Sequence, residues 1–156
     1  GYMHELQDFA WRKGAEDSLR LFHQLGLPIF VITNQGGIGR GFFTEAQMHA
    51  FHDKLLAEAR IIGAEIKDIA FCPHHPLAVS DALRTPCKCR KPKSGMIFAL
   101  AEKWQIDLGR SLVIGDKLSD IEAGQAAGCA SFLINPDQSL LEVSKTALAK
   151  TNIFDK

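Results

Sequence analysis

The chain has 156 residues, 46% of them apolar, enough to bury one sizeable core, so a single domain over 1–156 is expected. Eighteen basic residues offset eighteen acidic ones, which excludes the broad positive footprint of a nucleic-acid or acidic-membrane binder. No apolar run approaches the ~18–20 residues of a membrane span, and nothing reads as a signal peptide; the expectation is a soluble cytoplasmic protein with reduced thiols.

From Trp11 to Leu25 the apolar residues Trp11, Ala15, Leu19, Phe22 and Leu25 recur near helical spacing, and Gly26 is placed to end that helix in a left-handed turn. The run Pro28-Ile29-Phe30-Val31-Ile32 suits a parallel strand buried on both faces. It delivers Thr33, Asn34 and Gln35 to its carboxyl end, followed by a glycine-rich loop from Gly36 to Gly41. After a strand and before a helix, such a loop lets backbone approach an anion; a plain flexible connector is the alternative.

Thr44 and Gln47 have the capping-box spacing, Phe43 and Met48 that of a hydrophobic staple, and Met48, Phe51, Leu55, Ala59 and Ile62 line one helix face up to Gly63. His49 and His52 lack any ligand pattern and read as solvated. Ile66 to Phe71 reads as a second strand.

Next comes a polar, proline-broken loop from Cys72 to Pro92, with Cys72-Pro73-His74 at one end and Cys87-Lys88-Cys89 at the other. A loop without periodic apolar residues has little to hold its ends together. Three thiols and an imidazole in two spaced pairs match the tetrahedral preference of Zn²⁺. Cys72, His74, Cys87 and Cys89 are therefore candidate ligands of a structural zinc, with His75 the alternative to His74 and a disulfide the alternative to metal. Such a clamp would aim Arg90 and Lys91, which follow it directly. Cys129 reads as a packed residue behind Gly128.

Beyond Pro92, Ser94 is a candidate cap for a helix bearing Met96, Ile97, Leu100, Ala101 and Trp104. Ser111 to Ile114 is a third strand, ending in Gly115-Asp116-Lys117-Leu118-Ser119-Asp120. A short helix with Ile121, Ala123, Ala126 and Ala127 stops at Gly128, and Ala130 to Ile134 makes a fourth strand. The tail from Asn135 to Lys156 is only weakly amphipathic.

Alternating strands and helices argue for an α/β fold with a mostly parallel sheet and ligands at the carboxyl ends of its strands. Thr33, Asn34, Arg90, Lys91, Asp116 and Lys117 all fall at or beyond such ends. Phosphoryl transfer needs fixed donors and cations around spreading negative charge. Thr33 offers a hydroxyl, Asn34 an amide, Lys91 an ammonium and Arg90 a planar fork for a phosphate or sugar hydroxyls. Asp116 and Asp120 offer hard oxygens suited to Mg²⁺. Each also has a plain alternative: Lys91 a solvated charge, Asp120 a helix cap, Thr33 a strand-end hydroxyl.

Ile32-Thr33-Asn34-Gln35, Cys89-Arg90-Lys91-Pro92 and Gly115-Asp116-Lys117 with Asp120 resemble the second, third and fourth motifs of the haloacid-dehalogenase-type (HAD) phosphatases. The opening Gly1-Tyr2-Met3-His4, the loop from Thr33 to Gly41, Cys72-Pro73-His74 and the run from Cys87 to Pro92 narrow the resemblance. They point to the D-glycero-D-manno-heptose 1,7-bisphosphate 7-phosphatase family, over Gly1 to about Ile134. The resemblance implies a Rossmann-like HAD sheet with helices on both faces and reaction through an aspartyl-phosphate. Thr33 and Lys91 would hold the phosphoryl group, and Asp116 would complete a catalytic Mg²⁺ site. Gly1, Tyr2, Asn34, Gln35, Gly36, Arg90 and Lys117 would contact a phosphorylated sugar, the partner of an enzyme expected to be monomeric.

Gly36 stands where relatives carry serine, and the family's first motif, Asp-x-Asp-Gly-Thr, is absent. That motif ends the central strand and supplies the nucleophile. Hence the chain is expected to be a truncated form, inactive by itself, with the strands carrying Thr33 and Asp116 lacking the one between them. Histidinol-phosphate phosphatase, with a similar zinc loop, and a non-catalytic phosphosugar-binding zinc domain are the alternative functions.

Overall fold

Gly14 adopts φ +78° and turns the chain into the first helix, α1 (Ala15–Gln24), shorter at its start than the apolar spacing predicts. The computed structural model describes residues 10–34, 44–74, 78, 87–151 and 153. Along them follow β1 (Ile29–Asn34), α2 (Glu45–Ile61), β2 (Ile66–Cys72), α3 (Gly95–Trp104), a 3₁₀ turn at Leu108–Arg110, β3 (Leu112–Gly115), α4 (Leu118–Ala126), β4 (Ala130–Leu133) and α5 (Leu140–Lys150). The strands alternate with helices, as an α/β fold requires. No helix among the described residues is long and apolar enough to cross a membrane.

The chain divides into two units, one built on Leu19–Cys87 and the other on Arg12–Ser18 with Lys88–Lys156. In the first, β1 and β2 pair in parallel, with Thr33 opposite Phe71 and Asn34 opposite Cys72. The helix between them opens on the expected capping box: Thr44 Oγ1 accepts the Gln47 N–H at 3.0 Å, and Gln47 Oε1 accepts the Thr44 N–H at 2.7 Å. Met48 and Ala59 are buried on its inner face, and Gly63 ends the run at φ +85°. His52, expected in solvent, is instead buried: it shares the face of Met48 and Ala59, and its ring lies 6.2 Å from that of Phe71 on β2. Phe43 lies outside the described residues.

In the second unit β3 and β4 pair in parallel, with Ile114 opposite Phe132. Helix α4 packs on both strands and α5 on β3. Met96, Ile97 and Leu100 of α3, Ala123 of α4 and Ala127 at its end, and Val143 and Ala147 of α5 are buried. Cys129 is buried too, as a packed residue, and burial raises its thiol pKa. Trp104, expected on the buried face, ends α3 at 41% exposure, where Gln105 turns left-handed at φ 56°.

The tail that reads weakly from sequence forms α5, whose buried face is small: Val143, Ser144 and Ala147. The Ser144 hydroxyl meets that of Ser18 at 2.6 Å, so the polar pair is satisfied inside the unit.

The described strands form two two-stranded sheets, β1-β2 and β3-β4. Every residue of β1 and β3 is half-buried, where the unbroken apolar runs predict burial on both faces. Among the described residues neither strand has a neighbour on both edges, which leaves part of each open.

Candidate active site and metal centre

The carboxyl ends of β1 and β2 leave the first sheet side by side. Thr33 and Asn34 are the last two residues of β1, half-buried, and Asn34 lies in register with Cys72. Cys72 is fully buried, and Pro73 carries the chain to His74, whose Nδ1 lies 3.4 Å from Cys72 Sγ. Cys87 brings its sulfur to 3.5 Å from the same atom. With Cys89, two residues further along, the four donor atoms lie within 4.8 Å of one another.

The Cys72 and Cys89 sulfurs are close enough to be bridged as a disulfide, while Cys87 is a free thiol; a metal would take all three as thiolates. A disulfide explains two of these four positions. It gives no reason for a third thiol and an imidazole to converge on the same point, whereas a tetrahedral cation collects all four. The donor set therefore fits a metal.

Arg90, Lys91, Lys93 and Ser94 follow in a turn closed by the Lys93 N–H donating to the Arg90 carbonyl at 2.9 Å, with the Lys91–Pro92 peptide cis. Lys91 Nζ donates to Asp120 Oδ1 of α4. The two side chains are only 11% and 8% exposed, so this is a buried ion pair rather than a solvated loop charge. Asp120 Oδ2 also accepts the Lys117 N–H at 3.2 Å, which is the helix-capping role open to it from sequence. Both oxygens of Asp120 are thus engaged at the head of α4. The carboxylate of Asp116, one residue past β3, is exposed. Lys117 is exposed beside it.

Gly115 makes this arrangement fit. A Cβ there would lie 2.3 Å from Asp120 Cβ and 2.5 Å from Oδ2, so any side chain would expel the carboxylate from the strand tip.

The structure thus gathers Cys72, His74, Cys87 and Cys89, sets Asn34 beside Cys72, and joins Lys91 to Asp120 and the Lys117 backbone. Gly1, Tyr2, Gln35, Gly36 and His75 lie outside the described residues. Two contacts were not evident from the residue pattern. The Lys91–Asp120 pair spans 29 positions, and only the acid four residues after Asp116 hints at it. Ser94 stands at the N-cap of α3 without capping it; its hydroxyl donates instead to the Ala123 carbonyl at 2.7 Å, in a buried setting.

A family model described as HAD-hydrolase-like matches residues 88–155. The chain is 39% identical over 155 residues to the D-glycero-beta-D-manno-heptose-1,7-bisphosphate 7-phosphatase of Rhodopseudomonas palustris, covering 95% of this chain and 86% of that one. It is 36% identical over 154 residues to the D-glycero-alpha-D-manno-heptose-1,7-bisphosphate 7-phosphatase of Photorhabdus laumondii, covering 98% and 84%. Among solved structures it matches the D,D-heptose 1,7-bisphosphate phosphatase of B. bronchiseptica, complexed with magnesium and phosphate. The TM-score is 0.76, at 28% identity over 97% of this chain and 78% of that one. A HAD-like phosphatase from Mesorhizobium loti matches with a TM-score of 0.84, at 28% identity over 94% and 76%. The chain belongs to the HAD-like phosphatases and, within them, to the D-glycero-D-manno-heptose-1,7-bisphosphate 7-phosphatase family of phosphoric monoester hydrolases.

Proposed function

We propose that this protein hydrolyses the 7-phosphate of D-glycero-D-manno-heptose 1,7-bisphosphate, with Lys91 and Thr33 holding the phosphoryl group in transfer. The observation that carries the reading is the buried Lys91–Asp120 pair. It fixes an ammonium at a strand-tip loop, where a group aimed at the charge of a phosphoryl transition state needs no reorganisation. Relatives named for this substrate support the choice of ester over histidinol phosphate. Their names divide between the α and β anomers, so both are test substrates.

Arg90 and Lys117 supply further cationic contacts to phosphate or sugar hydroxyls, and Asn34, Gln35, Gly36, Gly1 and Tyr2 complete the substrate surface. Asp116 is the exposed carboxylate available to a catalytic Mg²⁺, which takes few protein ligands and keeps waters. When bound, that ion neutralises charge on the phosphoryl oxygens. Cys72, His74, Cys87 and Cys89 hold a structural zinc, since four protein ligands leave no open position for water. The attacking group is the aspartate of the family's Asp-x-Asp motif, which does not occur within these 156 residues. It forms an aspartyl-phosphate as the P–O bond to the C7 oxygen breaks, that oxygen taking a proton from the motif's second aspartate, and water then cleaves the acyl phosphate to give inorganic phosphate and the free aspartate. By themselves, without that motif, these 156 residues bind the sugar phosphate without turning it over.

The test is phosphate release from both anomers of the bisphosphate and from histidinol phosphate, with this chain alone and fused to the Asp-x-Asp-bearing N-terminal segment of a heptose-bisphosphate phosphatase relative. The extended protein should release the 7-phosphate fastest, and the short chain should bind the bisphosphate in calorimetry without product. Faster hydrolysis of histidinol phosphate, or substantial turnover by the short chain, would overturn the reading.

A further inference from the structure

The segment from Lys88 to Gly95 is fastened at three points, all within the second unit. Its ends meet where the Gly95 N–H donates to the Lys88 carbonyl at 2.8 Å. Lys91 reaches Asp120, and the Ser94 hydroxyl reaches the Ala123 carbonyl at 2.7 Å. Asp120 and Ala123 are three apart on α4 and so share one face of that helix. Lys91 and Ser94 are likewise three apart, so turn and helix engage at two matched points.

The approach at Gly95 leaves no room for a side chain. A Cβ there would lie 2.2 Å from the Lys88 carbonyl oxygen, 2.6 Å from its carbon and 3.0 Å from Cys89 Cα. All three are backbone atoms and cannot swing aside. The obstructed peptide is the one that leads into Cys89, a member of the candidate metal cluster. Ala123 is fully buried, so the Ser94 bond also sits on a part of α4 that cannot shift cheaply.

We infer that Ser94 and Gly95 are positioning residues that couple the Cys87–Cys89 metal knuckle to the Lys91 ammonium. Gly95 sets the Lys88–Cys89 peptide against the start of α3, and Ser94 locks the same turn to α4 so that Lys91 stays in register with Asp120. This rests on the phosphatase and zinc readings above.

The experiment uses the chain fused to that Asp-x-Asp-bearing segment, as wild type, Gly95→Ala, Ser94→Ala and Glu102→Gln, an exposed position on the same helix. Folding is checked by circular dichroism. One arm follows the absorption spectrum of the Co²⁺-substituted site and zinc release to a chromogenic chelator. The other separates kcat from KM for phosphate release. Gly95→Ala should change the Co²⁺ spectrum, release zinc at least about tenfold faster and lower kcat by at least about tenfold, as losses of ligand support do. Ser94→Ala should lower kcat several-fold while leaving KM and zinc release near wild type, and Glu102→Gln should change neither.

The coupling is overturned if Gly95→Ala alters zinc release but leaves kcat intact, or if Ser94→Ala keeps wild-type kcat. Should Gly95→Ala not fold, Ser94→Ala decides the Lys91 arm. Absence of turnover in the wild type sinks the phosphatase reading instead, and the Co²⁺ and release data still decide whether Gly95 governs the knuckle. Absence of metal in the wild type sinks the zinc reading and, with it, the coupling.

Discussion

Two strand–helix–strand segments, β1–α2–β2 and β3–α4–β4, answer the same packing problem differently. Helix α2 is 17 residues long, opens on a complete capping box and buries Met48, His52 and Ala59. Helix α4 has 9 residues and buries Asp120, Ala123 and Gly124. Its contact with the strands is closer: a Cβ on Gly124 would lie 2.2 Å from Ser131 Oγ and 3.0 Å from Val113. Small residues let α4 sit low on its sheet, and this brings the Asp120 carboxylate against Gly115 at the tip of β3. The helix that holds the Lys91–Asp120 pair is therefore built with little slack. The one that does not is held by larger side chains and a cap, which tolerate change.

The largest effect should come from breaking the pair that this close packing serves. Asp120→Ala leaves the Lys91 ammonium in a site where both side chains are about nine-tenths buried. Removing one partner of such a pair costs about 3–5 kcal/mol, to be read as a lowered urea midpoint. In the extended protein it should also cut kcat by about 10²-fold or more. A wild-type midpoint would mean that the pair is solvated and the ammonium unfixed.

Next comes Gly124→Val, which forces α4 off Ser131 and Val113. Overpacking of this kind costs about 1–3 kcal/mol and more than outweighs the few tenths by which valine exceeds glycine in helix propensity. The matching change on the looser helix, Ala57→Val at an exposed site of α2, should stay within about 0.5 kcal/mol. Equal losses at the two positions would erase the contrast.

What the residue pattern reveals follows the same divide. Strand runs, glycine stops at Gly26, Gly63 and Gly128, the Thr44 capping box and the spacing of the Cys/His pairs are local signals, and each appears where expected. Contacts that join distant segments are not local. Nothing beside Ser94 marks its hydroxyl for Ala123 rather than for the helix it precedes. Helix α5 was faint because its buried face is made of Val143, Ser144 and Ala147, too small and too polar to produce a strong apolar stripe. His52 escapes the pattern for a related reason: an imidazole on a helix has no sequence mark of burial, and what covers it is Phe71, from the next strand.

On the tolerant helix the effects should be smaller. Thr44→Ala removes one half of the capping box on an exposed turn and should cost about 1 kcal/mol, with no change in kinetics.

The least of them concerns His52. Burial, reinforced by the neighbouring His49 and opposed by Asp53, lowers its pKa below the usual 6.5. The folded protein therefore keeps this imidazole neutral at pH values where the unfolded chain takes up a proton. The unfolded state then binds more protons, so stability rises with pH across that window and is lost as pH falls below about 6.5. Above it, both states are neutral and the contribution is flat. Urea midpoints measured from pH 8 to 5 should fall more steeply for wild type than for His52→Gln, which cannot titrate. The other histidines contribute to both curves and cancel in the difference. Parallel curves would show that His52 is hydrated enough to protonate in place, and that α2 lies less tightly on Phe71 than the ring geometry indicates.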